Sequence, residues 1–121
     1  MSITQKMTEI TVQALEDKKG EDIQIIDIGQ ISPIADYFIL ATGTNRSQIQ
    51  AMADEVSEKM HRAGYVLKQI EGYDSANWIL MDFCDIIVHI FDRESRQFYN
   101  LERIWRDGKM MDLESLRNQA K

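Results

Sequence analysis

Residues 78 to 91, WILMDFCDIIVHIF, gather the side chains of this chain best suited to chemistry: Asp82 and Asp85 three positions apart, Cys84 between them and His89 five beyond the cysteine. Two carboxylates at that spacing can share a divalent cation, and a thiol beside an imidazole can become an activated nucleophile. Each reading has a plainer competitor. Aspartates that flank a turn bond nearby backbone N–H groups with their own oxygens, and His89 lies too far along to complete a cation site easily. An odd separation puts Cys84 and His89 on opposite faces of a regular strand. His61, the second histidine, falls on the polar side of a helical stretch. These points favour turn aspartates, a turn or small buried thiol at Cys84, and a buried, hydrogen-bonded imidazole at His89.

The two apolar runs around Asp82-Phe83-Cys84-Asp85 predict a β-hairpin. If Asp82 pairs across from Asp85, then Leu80 faces Ile87 and Trp78 faces His89. One face then carries Ile79, Met81, Ile86, Val88 and Ile90, and is wholly aliphatic. The other carries Trp78, Leu80, Asp82, Asp85, Ile87, His89 and Phe91, a mixture suited to contact with something outside the fold.

Two further stretches bear on function. Gly43-Thr44, between an apolar run and a helical pattern, sits where a helix N-terminus offers free N–H groups to an anion. It resembles the Gly-Ser turn of nucleotidyltransferases, which also require an Asp-x-Asp pair on the following strand to hold Mg²⁺. That strand here is YVLKQIEG, with Lys68 and Glu71 on opposite faces, so the catalytic pair is missing. In DRESRQFYNLERIW, Phe98, Leu101 and Trp105 make a buried stripe, while Tyr99 turns about 100° away toward Glu102 and Arg103. Tyr99 is then either amphipathic surface or an exposed aromatic anchor for a protein partner.

The elements that position these residues follow from apolar spacing. Ile3, Met7, Ile10 and Ala14 mark a first helix that stops near Gly20. Asp22 to Ile28 and Tyr37 to Thr42 read as strands, and Ile49, Met52, Ala53, Val56 and Met60 as a second helix capped by Thr44 or Asn45 and ending at Gly64. Tyr65 to Ile70, Trp78 to Met81 and Ile86 to Phe91 are three more strands, and a closing helix runs toward Trp105. This order predicts an α/β or α+β domain, one mixed five-stranded sheet flanked by helices, over residues 1–105, with a weakly ordered tail at 106–121.

Composition narrows the function. The chain has 121 residues, 44% of them hydrophobic and 28% charged, which is globular and sufficient for one domain. No apolar run is long enough to span a bilayer, the start lacks a secretory pattern, and a single cysteine suits a reducing, cytoplasmic setting. Twenty acidic against fourteen basic residues give a formal charge of −6. That balance disfavours nucleic-acid binding through many phosphates and suits either plain solubility or a basic protein partner.

ADYFILATGTNRSQIQAMADEV, WILMDFCDIIVHIF and ESRQFYNLERIW together resemble the bacterial ribosomal silencing factor family, RsfS or Iojap. The likeness runs from about Met7 to Trp105. It rests on Asp36-Tyr37, Gly43-Thr44, Trp78, Asp82, Asp85, Val88-His89, Arg96, Tyr99, Leu101-Glu102 and Trp105. The resemblance implies a nucleotidyltransferase-like fold without catalysis, metal or cofactor. It also implies binding to the large ribosomal subunit through its ribosomal protein number fourteen, which would block joining of the small subunit. The implied contact surface is Trp78, Leu80, Asp82, Asp85, Ile87, His89 and Tyr99. A homodimer using the same face, and a nucleotide-binding protein using Gly43, Thr44, Asp82 and Asp85, are the competing expectations. One departure stands out: the family usually has glycine where Cys84 stands, which implies either a remodelled turn or a cysteine strained at positive φ. Asn77 is often acidic in the family.

Overall fold

A computed structural model describes residues 2–30, 32–99 and 109–111, with side chains described for 2–30 and 32–97. Helix α1 (Ile3–Asp17) begins at a reciprocal cap, in which Ser2 Oγ accepts from the Gln5 N–H and Gln5 Oε1 accepts from the Ser2 N–H. It ends with Lys19 at φ 64°, so the left-handed residue of the stop is the lysine one position before Gly20. Strands β1 (Glu21–Asp27) and β2 (Tyr37–Gly43) follow, then helix α2 (Arg46–Arg62), strands β3 (Gln69–Glu71), β4 (Trp78–Asp82) and β5 (Ile86–Asp92), helix α3 (Arg93–Tyr99) and strand β6 (Lys109–Met111).

The expected mixed α+β sheet is there, and β6 adds a sixth strand on its far edge. The order is β3-β4-β5-β2-β1-β6, with β2 and β5 parallel and the other pairs antiparallel. Strand alternation divides two cores. Ile25, Ile39, Ala41, Ile79, Met81, Ile86, Val88 and Ile90 pack beneath the apolar stripes of α1 and α2, which supply Met7, Leu15, Ile49, Met52, Val56 and Met60. Ile26, Phe38, Leu40, Ile87 and Phe91 form the opposite core, with Trp78 and Leu80 half-buried against it.

Two expectations change. Of the expected strand from Tyr65 to Ile70, only Gln69 and Ile70 pair with β4, in a strand that runs on to Glu71. The Tyr65 N–H donates to the Met60 carbonyl and that of Gly64, at φ 88°, to the His61 carbonyl, a pair of hydrogen bonds that closes α2. The hairpin register also differs: Trp78 pairs with Phe91, Leu80 with His89 and Asp82 with Ile87, two residues from the expected alignment. An even shift keeps every side chain on its face, so both hairpin faces stand as read. Expected features at Leu101, Trp105 and most of 106–121 lie outside the described residues.

Candidate functional site

The turn after β4 explains the register. Asp82 Oδ1 accepts from the Cys84 N–H at 2.8 Å, the Phe83 N–H donates to the Ile86 carbonyl at 3.0 Å, and Cys84 sits at φ 72°. Asp82 and Asp85 therefore do not face each other across the ladder. Asp82 closes a side-chain turn, while the Asp85 carbonyl accepts from the Asp36 N–H and fixes the hairpin tip to the start of β2. Asp85 and Cys84 are exposed.

On the second core face, Trp78 and Leu80 are half-buried, Ile87 is 7% exposed and His89 only 4%. The Trp78 Nε1–H donates to His89 Nδ1 at 3.0 Å. Burial drives the His89 pKa down from 6.5 to about 4, so the ring is neutral at pH 7. Trp78 stacks on Phe91 with centroids 5.3 Å apart, and the Phe38 ring meets His89 at 4.7 Å nearly edge-on. Six of the seven expected contact residues thus lie on β4, its turn and β5. Tyr99 ends α3, and its side chain lies outside the described residues.

Arginine 96 holds α3 in position. It donates to Thr42 Oγ1 at 2.7 Å and to Gln24 Oε1 at 2.9 Å, with Asp22 Oδ2 at 3.5 Å. Asp92 Oδ1 accepts from the Ser95 N–H and caps the same helix. Sequence reasoning matched Arg96 to a family pattern without giving it a role. A basic residue in an amphipathic stretch carries no mark of the two partners, 54 and 72 positions away, that it reaches.

The nucleotide-binding constellation is not brought together. Gly43 ends the interior strand β2 and Thr44 follows it, whereas the Asp82–Asp85 turn adjoins the beginning of β2, a strand of seven residues or about 20 Å away. The α2 N-terminus is also filled from within. Gln48 Oε1 accepts from the Thr44 N–H and hydroxyl, and Asn45 Oδ1 accepts from the Gln48 N–H. Gly43 faces Ile49, Gln48 and Met52, so its missing Cβ serves packing of strand on helix. Among the described residues no three His, Cys, Asp or Glu side chains gather as metal ligands, and no helix is long and apolar enough to cross a membrane. Among the described residues no hydrogen bond joins the Cys84 thiol to His89, whose Nδ1 is engaged by Trp78, or to His61, exposed on α2.

These features define an α+β domain with a mixed sheet, in which Asp82 closes a turn, Asn45 and Asp92 cap helices and His89 packs in a core. The chain belongs to the RsfS family, described as ribosomal silencing factor during starvation, whose family model matches residues 2–121. Ribosomal silencing factor RsfS of Bacillus subtilis (strain 168) is 40% identical over 111 residues, covering 92% of this chain and 94% of that protein. A crystal structure of a Chromobacterium violaceum protein superposes with a TM-score of 0.84 at 34% identity, over 90% of each chain. A mouse relative, mitochondrial assembly of ribosomal large subunit protein 1, is 28% identical over 102 residues, 80% of this chain and 44% of that protein.

Proposed function

We propose that this chain is a non-enzymatic translational repressor that docks on the large ribosomal subunit, through ribosomal protein number fourteen, and sterically blocks joining of the small subunit. The observation that carries the reading is the β4–β5 hairpin. Trp78 and Leu80, half-buried side by side, lead directly to a turn bearing the Asp82 and Asp85 carboxylates. An aromatic and an aliphatic side chain bordered on one side by like-signed charge fit the anatomy of a protein-binding patch with a polar rim. Its acidic rim and the overall charge of −6 suit a basic partner. Within the patch, Trp78 and Leu80 make contact, Ile87 and His89 lie beneath them, Asp82 and Asp85 form the rim, and Tyr99 on α3 is a second anchor. The mouse relative, named for assembly of the large subunit, supports that subunit as the partner.

The test combines binding and joining. W78A and Y99A should lose cosedimentation with purified large subunits while keeping the wild-type circular dichroism spectrum. Adding wild-type protein to large and small subunits should reduce the joined particle on a gradient. A joined fraction that stays constant at saturating protein would overturn the mechanism, and wild-type binding by both variants would overturn the assigned face.

A further inference from the structure

His89 occupies a slot that an apolar residue would fill at lower cost. Its neighbours on that face are Phe38 at 4.7 Å, Phe91 at 6.1 Å in a parallel stack, and the cross-strand residues Leu40 and Leu80. The indole N–H can only donate, so the accepting Nδ1 carries no proton and the His89 proton resides on Nε2. Among the described residues the buried Nε2 meets no hydrogen-bond acceptor. A buried donor is costly to leave unpaired, so a polar ring at this depth needs a reason beyond filling space. What the imidazole adds is a fixed direction for the indole, through the bond its Nδ1 accepts. Trp78 and His89 are diagonal on the ladder, because Trp78 pairs with Phe91 and Leu80 with His89, and the hydrogen bond spans that diagonal. With the ring tilted 28° from Phe91 and its N–H turned inward, the indole is held from two sides.

We infer that His89 is a positioning residue for the docking face: its Nδ1 fixes the Trp78 indole by the N–H, so that the partner meets the ring as a preset apolar surface. The inference rests on the docking reading above. It assigns the partner's chemistry at this point. The indole nitrogen is already engaged, so the facing recess is lined by carbon, such as aliphatic side chains or the stem of a lysine or arginine, and offers no hydrogen-bond acceptor to Trp78.

The full-length chain tests this with two complementary substitutions and one spectroscopic signal. H89F keeps a ring and removes the acceptor, whereas H89N removes the ring and keeps an acceptor at the position of Nδ1. The Trp78 indole ¹H–¹⁵N resonance, assigned by its loss in W78F, reports the hydrogen bond directly. In H89F that resonance should move toward the free-indole position and affinity for purified large subunits should fall about tenfold, the equivalent of one neutral hydrogen bond with its orientation. H89N should hold the resonance near its wild-type position and bind within about threefold of wild type, because a neutral acceptor is restored. H89L takes the place of H89F if the latter does not fold. Binding by H89F equal to wild type, with the resonance displaced, overturns the inference, as does an equal loss in H89N and H89F. A W78A chain that binds as wild type takes Trp78 out of the docking face and this inference with it, and if Y99A also binds as wild type the face itself falls; loss in W78A with none in H89F overturns this inference alone.

Discussion

Cys84 holds φ at 72°, a conformation that costs a residue with a Cβ about 1 kcal/mol or more. The Asx bond from Asp82 to the Cys84 N–H and the Phe83 to Ile86 bond enforce it, so the strain is imposed by the turn. Replacing Cys84 with glycine should therefore stabilise the fold by about 1 kcal/mol, less the extra entropy that glycine gives the unfolded chain. Urea unfolding at pH 7 measures this, and a loss of about 1 kcal/mol, the full entropic penalty of glycine, would show that the turn carries no strain. His89 makes a second residue-scale prediction. Its folded pKa of about 4 lies below the ordinary 6.5, so above pH 6.5 neither state binds the proton. As pH falls from 6.5 toward 4 the unfolded state takes it up and the folded state does not, and stability drops by an amount approaching ~3 kcal/mol near pH 4. Carboxylates titrate in both wild type and H89F, so the difference between their stability–pH curves isolates the imidazole. The wild-type curve should be the steeper by that amount, and parallel curves would contradict a neutral, buried His89.

Elements carry the next level of organisation. The β3–β4 connection depends on Gly72, which has φ 78° and a backbone so close to Trp78 that a Cβ would run into the Trp78 carbonyl oxygen. G72A should cost about 2 kcal/mol or more in urea unfolding, because strain at positive φ adds to a clash with backbone that cannot rotate away. A cost below ~0.5 kcal/mol would mean that the connection moves freely. Helix α3 depends on Arg96 in a similar way. R96A should destabilise by about 2 kcal/mol, since it strips charge-assisted partners from Thr42 and Gln24, and R96K should recover only part, because lysine lacks the fork that reaches both. Full recovery by lysine would reduce Arg96 to a charge. Neither dependence was visible in the sequence. The hairpin's two faces were, because period-two alternation survives any even slip of register. Its register was not, because the Asx turn at Asp82 and positive φ at Cys84 decided it, and neither is written in hydrophobic pattern. Tyr65 to Lys68 read as strand by propensity, yet the capping of α2 claimed the Tyr65 N–H first.

At the scale of the molecule, the sheet's composition was legible because each strand alternates cleanly between two cores, whereas β6 was not, since Lys109–Met111 is too short to stand out in a polar stretch. The candidate face was legible as a set of residues and not as an arrangement. The sequence placed Trp78 across from His89, while the fold pairs them diagonally and buries the imidazole beneath the indole. What remains global is charge. With a formal −6 spread over the chain and Asp82 and Asp85 at the edge of the proposed docking face, long-range attraction to a basic partner should speed encounter, and short-range contacts at Trp78 and Leu80 should govern how long the complex lasts. The two contributions separate with salt. At about 0.1 M the Debye length is near 10 Å, so raising salt from about 50 to about 200 mM screens steering while leaving apolar contact largely intact. The association rate with large subunits should fall several-fold over that range and the dissociation rate should change much less. The double charge removal D82N/D85N, which keeps an Asx-type acceptor at 82, should flatten the salt dependence of association without a comparable effect on W78A-sensitive residence time. Stopped-flow association of fluorescently labelled protein measures both rates. An association rate indifferent to salt would disconnect the acidic surface from docking and leave it a matter of solubility.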